Sequence, residues 1–300
     1  MKRIPTWFGD PFLSWLKSET EKAWAIYAPT DYSEPGGVGG GDWQRGTKWG
    51  EPLTEAEIKK LEKKWKWKFP SDYHLFLSRL HTPDKKMLGY WYVDDSDEKK
   101  ADSASTFWDW RTEAKQIKKA LDDVKRGILF DIEHNGLWIE KWGKKPRGKR
   151  SIETAVDKLL KKAPKLIPVY GHCFILEEPI EEKHPVLSIV QSDIIVMGND
   201  LREYLIEELS FLLGLKEDPA EHFDIRALSA TDWEKLEVEL EKITTEARPN
   251  WIRLEEDANE RETAATETPD SIEPEKLDVT QIPFWGDLAA WDRGELESIE

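Results

Sequence analysis

Asp131, Glu133 and His134 bring two carboxylates and an imidazole within four residues of each other. A hydrolase would use such groups to hold a metal or to move protons. Read as a strand, positions 131 and 133 share one face, and 134 takes the other until the chain turns at Asn135-Gly136. A fourth group would have to come from elsewhere, and His172 is the candidate. The competing reading is that polar residues beside an Asn-Gly pair belong to the turn or contact a partner. His172 and Cys173 suggest a thiol nucleophile with its base. Neighbours in a strand face opposite sides, so the two cannot pair directly, and the thiol reads as buried and inert. Cys173 is the one cysteine, so no intramolecular disulfide and no all-cysteine zinc site can form. No spacing among the 60 acidic residues singles out a glycosidase pair. Gly36–Gly41 lacks the Lys-Ser/Thr that follows a phosphate-cradling loop. The expectation is a chain without metal or cofactor, and not an enzyme.

Binding is the better use of these residues. Sixteen tryptophans and ten phenylalanines stand among 300 residues, and large aromatics stabilise both cores and interfaces. Trp138, Trp91 and Trp108 are candidate anchors for a partner. Asp131, Glu133, Asp94 and Asp95 could meet a basic surface beside them. The net charge of −16 repels phosphate backbones and attracts basic proteins. Much of it is terminal: residues 251–300 carry 15 acids against 4 bases, which leaves −5 for the rest. The basic stretch Lys141–Arg150 is short and reads as a solvated loop or a clip for the acidic tail, not as a direct nucleic-acid site. No apolar run is long enough to span a membrane and the opening residues resemble no signal peptide, so the cytoplasm is the expected location.

The elements that must position these groups can be read from periodicity. Residues 1–46 look irregular, with Pro11–Leu16 able to open a short helix. Thr54 and Glu57 make a capping box, followed by Ile58, Leu61 and Trp65 at helical spacing with lysines opposite. A second helix carries Tyr73, Phe76, Leu77 and Leu80. Leu88–Val93 reads as a strand, and Ala114, Ile117, Leu121 and Val124 as a helix. Ile128–Ile132 and Leu137–Ile139 read as strands of a hairpin around Asn135-Gly136. A helix from Ser151, strands at 166–176, 186–190 and 194–197, and a helix capped at Asn199 or Asp200 complete the main domain. Residues 214–248 suggest a helical extension with Trp233, Leu236, Leu240 and Ile243 on one stripe. Residues 249–300 read as an acidic linker and tail. Inside it, the aromatic segment 282–291 repeats the Gly-Asp pattern of Trp7-Phe8-Gly9-Asp10, and Phe284, Trp285 and Leu288 should dock on the protein's own surface.

Two stretches resemble the SUKH superfamily. One runs from Leu53-Thr54-Glu55 through Phe69-Pro70-Ser71-Asp72-Tyr73 to Phe76-Leu77. The other comprises Ile167-Pro168-Val169-Tyr170-Gly171-His172, Pro185–Ile189, Asp193-Ile194-Ile195 and Gly198-Asn199-Asp200-Leu201. The resemblance places a SUKH-like domain over residues 47–213. It implies an α+β fold, with a curved, mainly antiparallel sheet and helices packed on one side. It also implies a protein-binding module of the toxin-immunity type, whose partner is a basic toxin domain, possibly a nuclease. A regulatory scaffold, as in the fungal members, is the alternative it leaves open, and a hydrolase using Asp131, Glu133 and His134 is the rival from another class. Bacterial members often carry Arg after the Tyr-Gly-His run, where this chain has Cys173.

Overall fold

The computed structural model describes residues 4–27, 43–92, 99–104, 107–215 and 276–298, and side chains are described outside 89–92 and 99–104. The expected helical extension with Trp233 and the linker lie outside these residues, as do Asp94 and Asp95. The chain is α+β. Helix α1 (Asp10–Ile26) is followed by α2 (Glu55–Trp65) and α3 (Ser71–Leu77). Strands β1 (Met87–Tyr92) and β2 (Lys99–Ala104) pair antiparallel as a separate ribbon. Helix α4 (Ala114–Phe130) runs into a π-turn (Asp131–Asn135), and α5 (Lys149–Leu160) follows. Four antiparallel strands, β3 (Leu166–Tyr170), β4 (Cys173–Leu176), β5 (Val186–Val190) and β6 (Asp193–Gly198), lie side by side in chain order. Helix α6 (Leu201–Glu208) and, near the C-terminus, α7 (Trp285–Asp292) complete the fold.

Local chemistry explains the boundaries. The Thr54 hydroxyl accepts from the Glu57 amide while the Glu57 carboxylate accepts from the Thr54 amide, so two otherwise orphaned donors at the start of α2 are satisfied. The Asp200 side chain accepts from the Glu203 amide and caps α6. Pro168 sits on β3, an edge strand, where a missing N–H costs no ladder bond.

The sheet is covered on both faces, so coverage is not confined to the one side that was expected. Ile167, Val169, Cys173 and Ile175 join one core cluster with residues of α1, α2, α3 and α6. Their strand neighbours Leu166, Phe174 and Leu176 join a second cluster with residues of α4, α5 and α7. Period-two alternation therefore feeds two cores from one sheet. The N-terminal segment is not irregular: Phe12, Leu13, Trp15, Leu16 and Trp24 of α1 are buried in the first core.

The expected hairpin around Asn135-Gly136 is also replaced. The apolar stripe of α4 continues through Ile128 to Ile132, and Gly136, at φ 79°, terminates the turn in the left-handed conformation. Asn-Gly favours positive φ, and a helix terminus needs that as much as a hairpin does.

Candidate interaction surface

The residues expected to meet a partner are dispersed. Trp138 is 1% exposed, donates its indole N–H to the Gly143 carbonyl at 2.7 Å and meets Trp142 edge-on. Trp108 is 8% exposed, in the first core. Both are interior side chains as folded, because the second and first cores respectively close over them. Trp91 lies on β1 opposite Lys100. Asp131 is buried: one oxygen accepts from the Ser192 amide at 3.0 Å, the other from the Asn135 side-chain amide at 2.7 Å. It fastens the end of α4 to the β5–β6 turn. Glu133 is exposed and pairs with Lys149 at 3.2 Å.

The alternative chemistry fares no better. His134 is exposed and lies against the Phe130 ring, whereas His172 occupies the β3–β4 turn. The carboxylate of Asp131 is occupied by two N–H donors, so it is not poised to act with either. Among the described residues no group of three or more His, Cys, Asp or Glu side chains is arranged to hold a metal ion. Burial pushes the Cys173 thiol up to about 12, which keeps it protonated and inert, as the sequence reading has it.

The expected docking of the C-terminal aromatic segment holds. Trp285 and Leu288 are buried in the second core, the Trp285 indole donates to the Pro164 carbonyl at 2.9 Å, and Phe284 stacks on Trp142. The accompanying charge comes from Lys141, which pairs with Asp287 at 2.6 Å, and not from the Lys144–Arg150 stretch. A crevice of about 280 Å³ remains between β6 and this segment, lined by Ile195, Leu277, Asp193 and Arg293 among others.

One surface of concentrated character was passed over in the sequence. Residues 59–68 read Lys-Lys-Leu-Glu-Lys-Lys-Trp-Lys-Trp-Lys. The capped helix α2 projects Lys59, Lys60, Lys63 and Lys64 into solvent, and Lys66 and Lys68 extend the exposed row past its end. Among the described residues none of the six forms an ion pair. The acids of α2 are occupied elsewhere. Glu57 binds the Arg111 guanidinium through both oxygens, at 2.7 and 3.1 Å, and that guanidinium with the Thr54 donors holds its carboxyl down at about 2. Glu62 accepts from the Phe69 amide, and Glu55 faces His74.

Two indoles complete the surface. Trp65 and Trp67 are half-buried and stacked, with centroids 5.1 Å apart and planes within 4°. Both meet Trp110 edge-on, and the Lys64 ammonium lies over the Trp65 ring. The signal in sequence was the run of lysines interrupted by two tryptophans, which was taken only as the wet side of an amphipathic helix. No family model matches the chain, and neither a curated protein nor a solved structure matches it.

Proposed function

We propose that the protein is a binding module that works by occupying a partner protein, in the manner of a toxin-immunity inhibitor, and that the lysine–tryptophan surface of α2 is its contact. The observation that carries this reading is the set of six exposed lysines without ion pairs, mounted beside a pair of stacked indoles on a capped helix. A binding surface needs rigid aromatic area and charge that is not already neutralised internally. The order of elements supports the SUKH resemblance: a capped helix, a Tyr-bearing helix, then antiparallel strands closed by an Asp-capped helix. Tyr73 of that second helix donates to the Pro168 carbonyl and accepts from the Trp110 indole, which ties the two resembling stretches together.

A basic toxin domain remains the second reading for the partner, favoured by the net charge of −16. Affinity capture from the native cell with the wild-type chain and with a Lys59→Gln, Lys60→Gln, Lys63→Gln, Lys64→Gln variant tests the contact. A protein retained by the first and lost from the second supports the α2 surface. Equal retention by both moves the contact to another face. Restored growth on co-expression with the captured protein, when that protein is itself toxic, supports the immunity role.

A further inference from the structure

We infer that the α2 surface receives an acidic segment of a partner protein, and not a nucleic acid. The inference rests on the reading of that surface as the contact. Solvated helices elsewhere in this chain balance their charges. Lys17 pairs with Glu21, Lys118 with Asp122 and Lys119 with Asp123, each one turn apart. Helix α2 does the reverse. Lys59 faces Lys63 and Lys60 faces Lys64 at the same spacing, an arrangement that destabilises a helix. Lysines in the last turn complement the helix dipole, which accounts for Lys63 and Lys64 but not for Lys59 and Lys60. Lys66 adds to this: it ends the helix at φ 59°, a left-handed position that glycine occupies without strain. The charge is thus kept at the expense of local stability at several points, and an anionic partner would recover it.

The choice of partner follows from the indoles and the charge around them. Single-stranded nucleic acid is gripped by open aromatic faces on which bases stack. Here one face of Trp65 and one of Trp67 are covered by each other, their edges meet Trp110, and Lys64 lies over the Trp65 ring. The whole chain, at −16, opposes a long uniform polyanion but not a short acidic segment that ends where the basic surface ends. Lysine also gives point charges that suit scattered carboxylates, without the bidentate fork that arginine offers to phosphate.

The test uses the full chain, fluorescence anisotropy and two labelled probes: a 16-residue peptide of alternating Glu and Asp, and a 20-nucleotide single-stranded DNA. The expected result is that the peptide binds, more tightly than the DNA, with affinity that weakens as salt rises. The Lys59, Lys60, Lys63, Lys64→Gln variant should lose at least tenfold, and Trp67→Ala several-fold. Lys115→Gln, Lys118→Gln, Lys119→Gln, on the ion-paired face of α4, should stay within twofold. The quadruple variant should melt no lower than wild type, since like-charge pairs are removed, so lost binding would not reflect lost folding. Tighter DNA binding that the same variant abolishes would overturn the acidic-segment inference and leave α2 as the contact. Peptide binding unchanged in the variant, or absent, would overturn both. Self-association that the variant abolishes would assign the surface to a second copy's acidic residues, such as those of 216–275, and overturn the foreign partner.

Discussion

Two side chains show how a single group couples the interior to solution conditions. Glu208 projects from α6 into the core, where burial, helped by the neighbouring Glu207 charge, pushes its carboxyl up to about 7. The folded state therefore binds this proton more tightly than the unfolded chain does. Its contribution to stability is fully present below the unfolded value of about 4.5 and is lost as pH rises through 7. Glu208→Gln mimics the protonated form at every pH. Urea denaturation should give equal stability for the two proteins near pH 4.5 and a variant more stable by on the order of 1–2 kcal/mol at pH 8. His81 has its pKa lowered by burial and adds an opposite slope as pH falls through 6.5, but it is common to both proteins and cancels. Asp131 is the second case. Asp131→Ala leaves the buried Ser192 amide without its acceptor, and should cost about 1–3 kcal/mol in the same assay while leaving metal content unchanged. Bound metal lost with this substitution would restore the hydrolase reading.

Among the elements, the C-terminal segment is the most revealing. Its Trp285-Gly286-Asp287 seats against the second core, whereas the similar Trp7-Phe8-Gly9-Asp10 leaves Trp7 66% exposed. The glycines explain part of the difference. A Cβ at Gly286 would stand 2.3 Å from the Val279 carbonyl oxygen, while at Gly9 the nearest atom is 3.6 Å away. Gly286→Ala should therefore weaken docking, and Gly9→Ala should be close to neutral. Trp285→Ala should cost about 3–5 kcal/mol, the range for emptying a buried aromatic site. Denaturation midpoints of the three variants decide whether the segment is part of the fold or a loose cover. A Trp285→Ala midpoint equal to wild type would make it a cover. The same chemistry that anchors this segment also fixes the end of α4, where Ser192 joins Asp131 to Asp292 of α7.

At the scale of the whole molecule, the sheet joins two cores, and each core takes in one end of the described chain. Ile4 to Trp24 belong to the first, Val279 to Ala289 to the second. Removing residues 1–27 should uncover the face carrying Ile167, Val169 and Cys173. Removing 276–300 should uncover the face carrying Leu187, Ile189 and Val196. Because both faces share the same strands, each truncation should lower the melting temperature of the entire protein in one cooperative transition. A truncated chain that melts in two steps, with one step at the wild-type temperature, would show two independent cores.

The α+β class, the capped start of α2, the strands of the main sheet and the docking of Phe284, Trp285 and Leu288 were set by local pattern. Capping boxes, period-two alternation and an apolar run inside an acidic stretch have the same meaning wherever the chain goes. What local pattern could not set was the side of the protein on which a given residue would lie. Asn135-Gly136 supplies positive φ, and only the continued packing of Ile128 and Ile132 against the second core makes it a helix end and not a hairpin. Trp138, Trp108 and Asp131 have the composition of an interface, yet two cores close over them, because a sheet covered on both faces needs more buried aromatic area than one covered on one face. The lysines of residues 59–68 were visible as charge, but their lack of partners depended on where Glu57, Glu62 and Glu55 found theirs, and those pairings exist only in three dimensions.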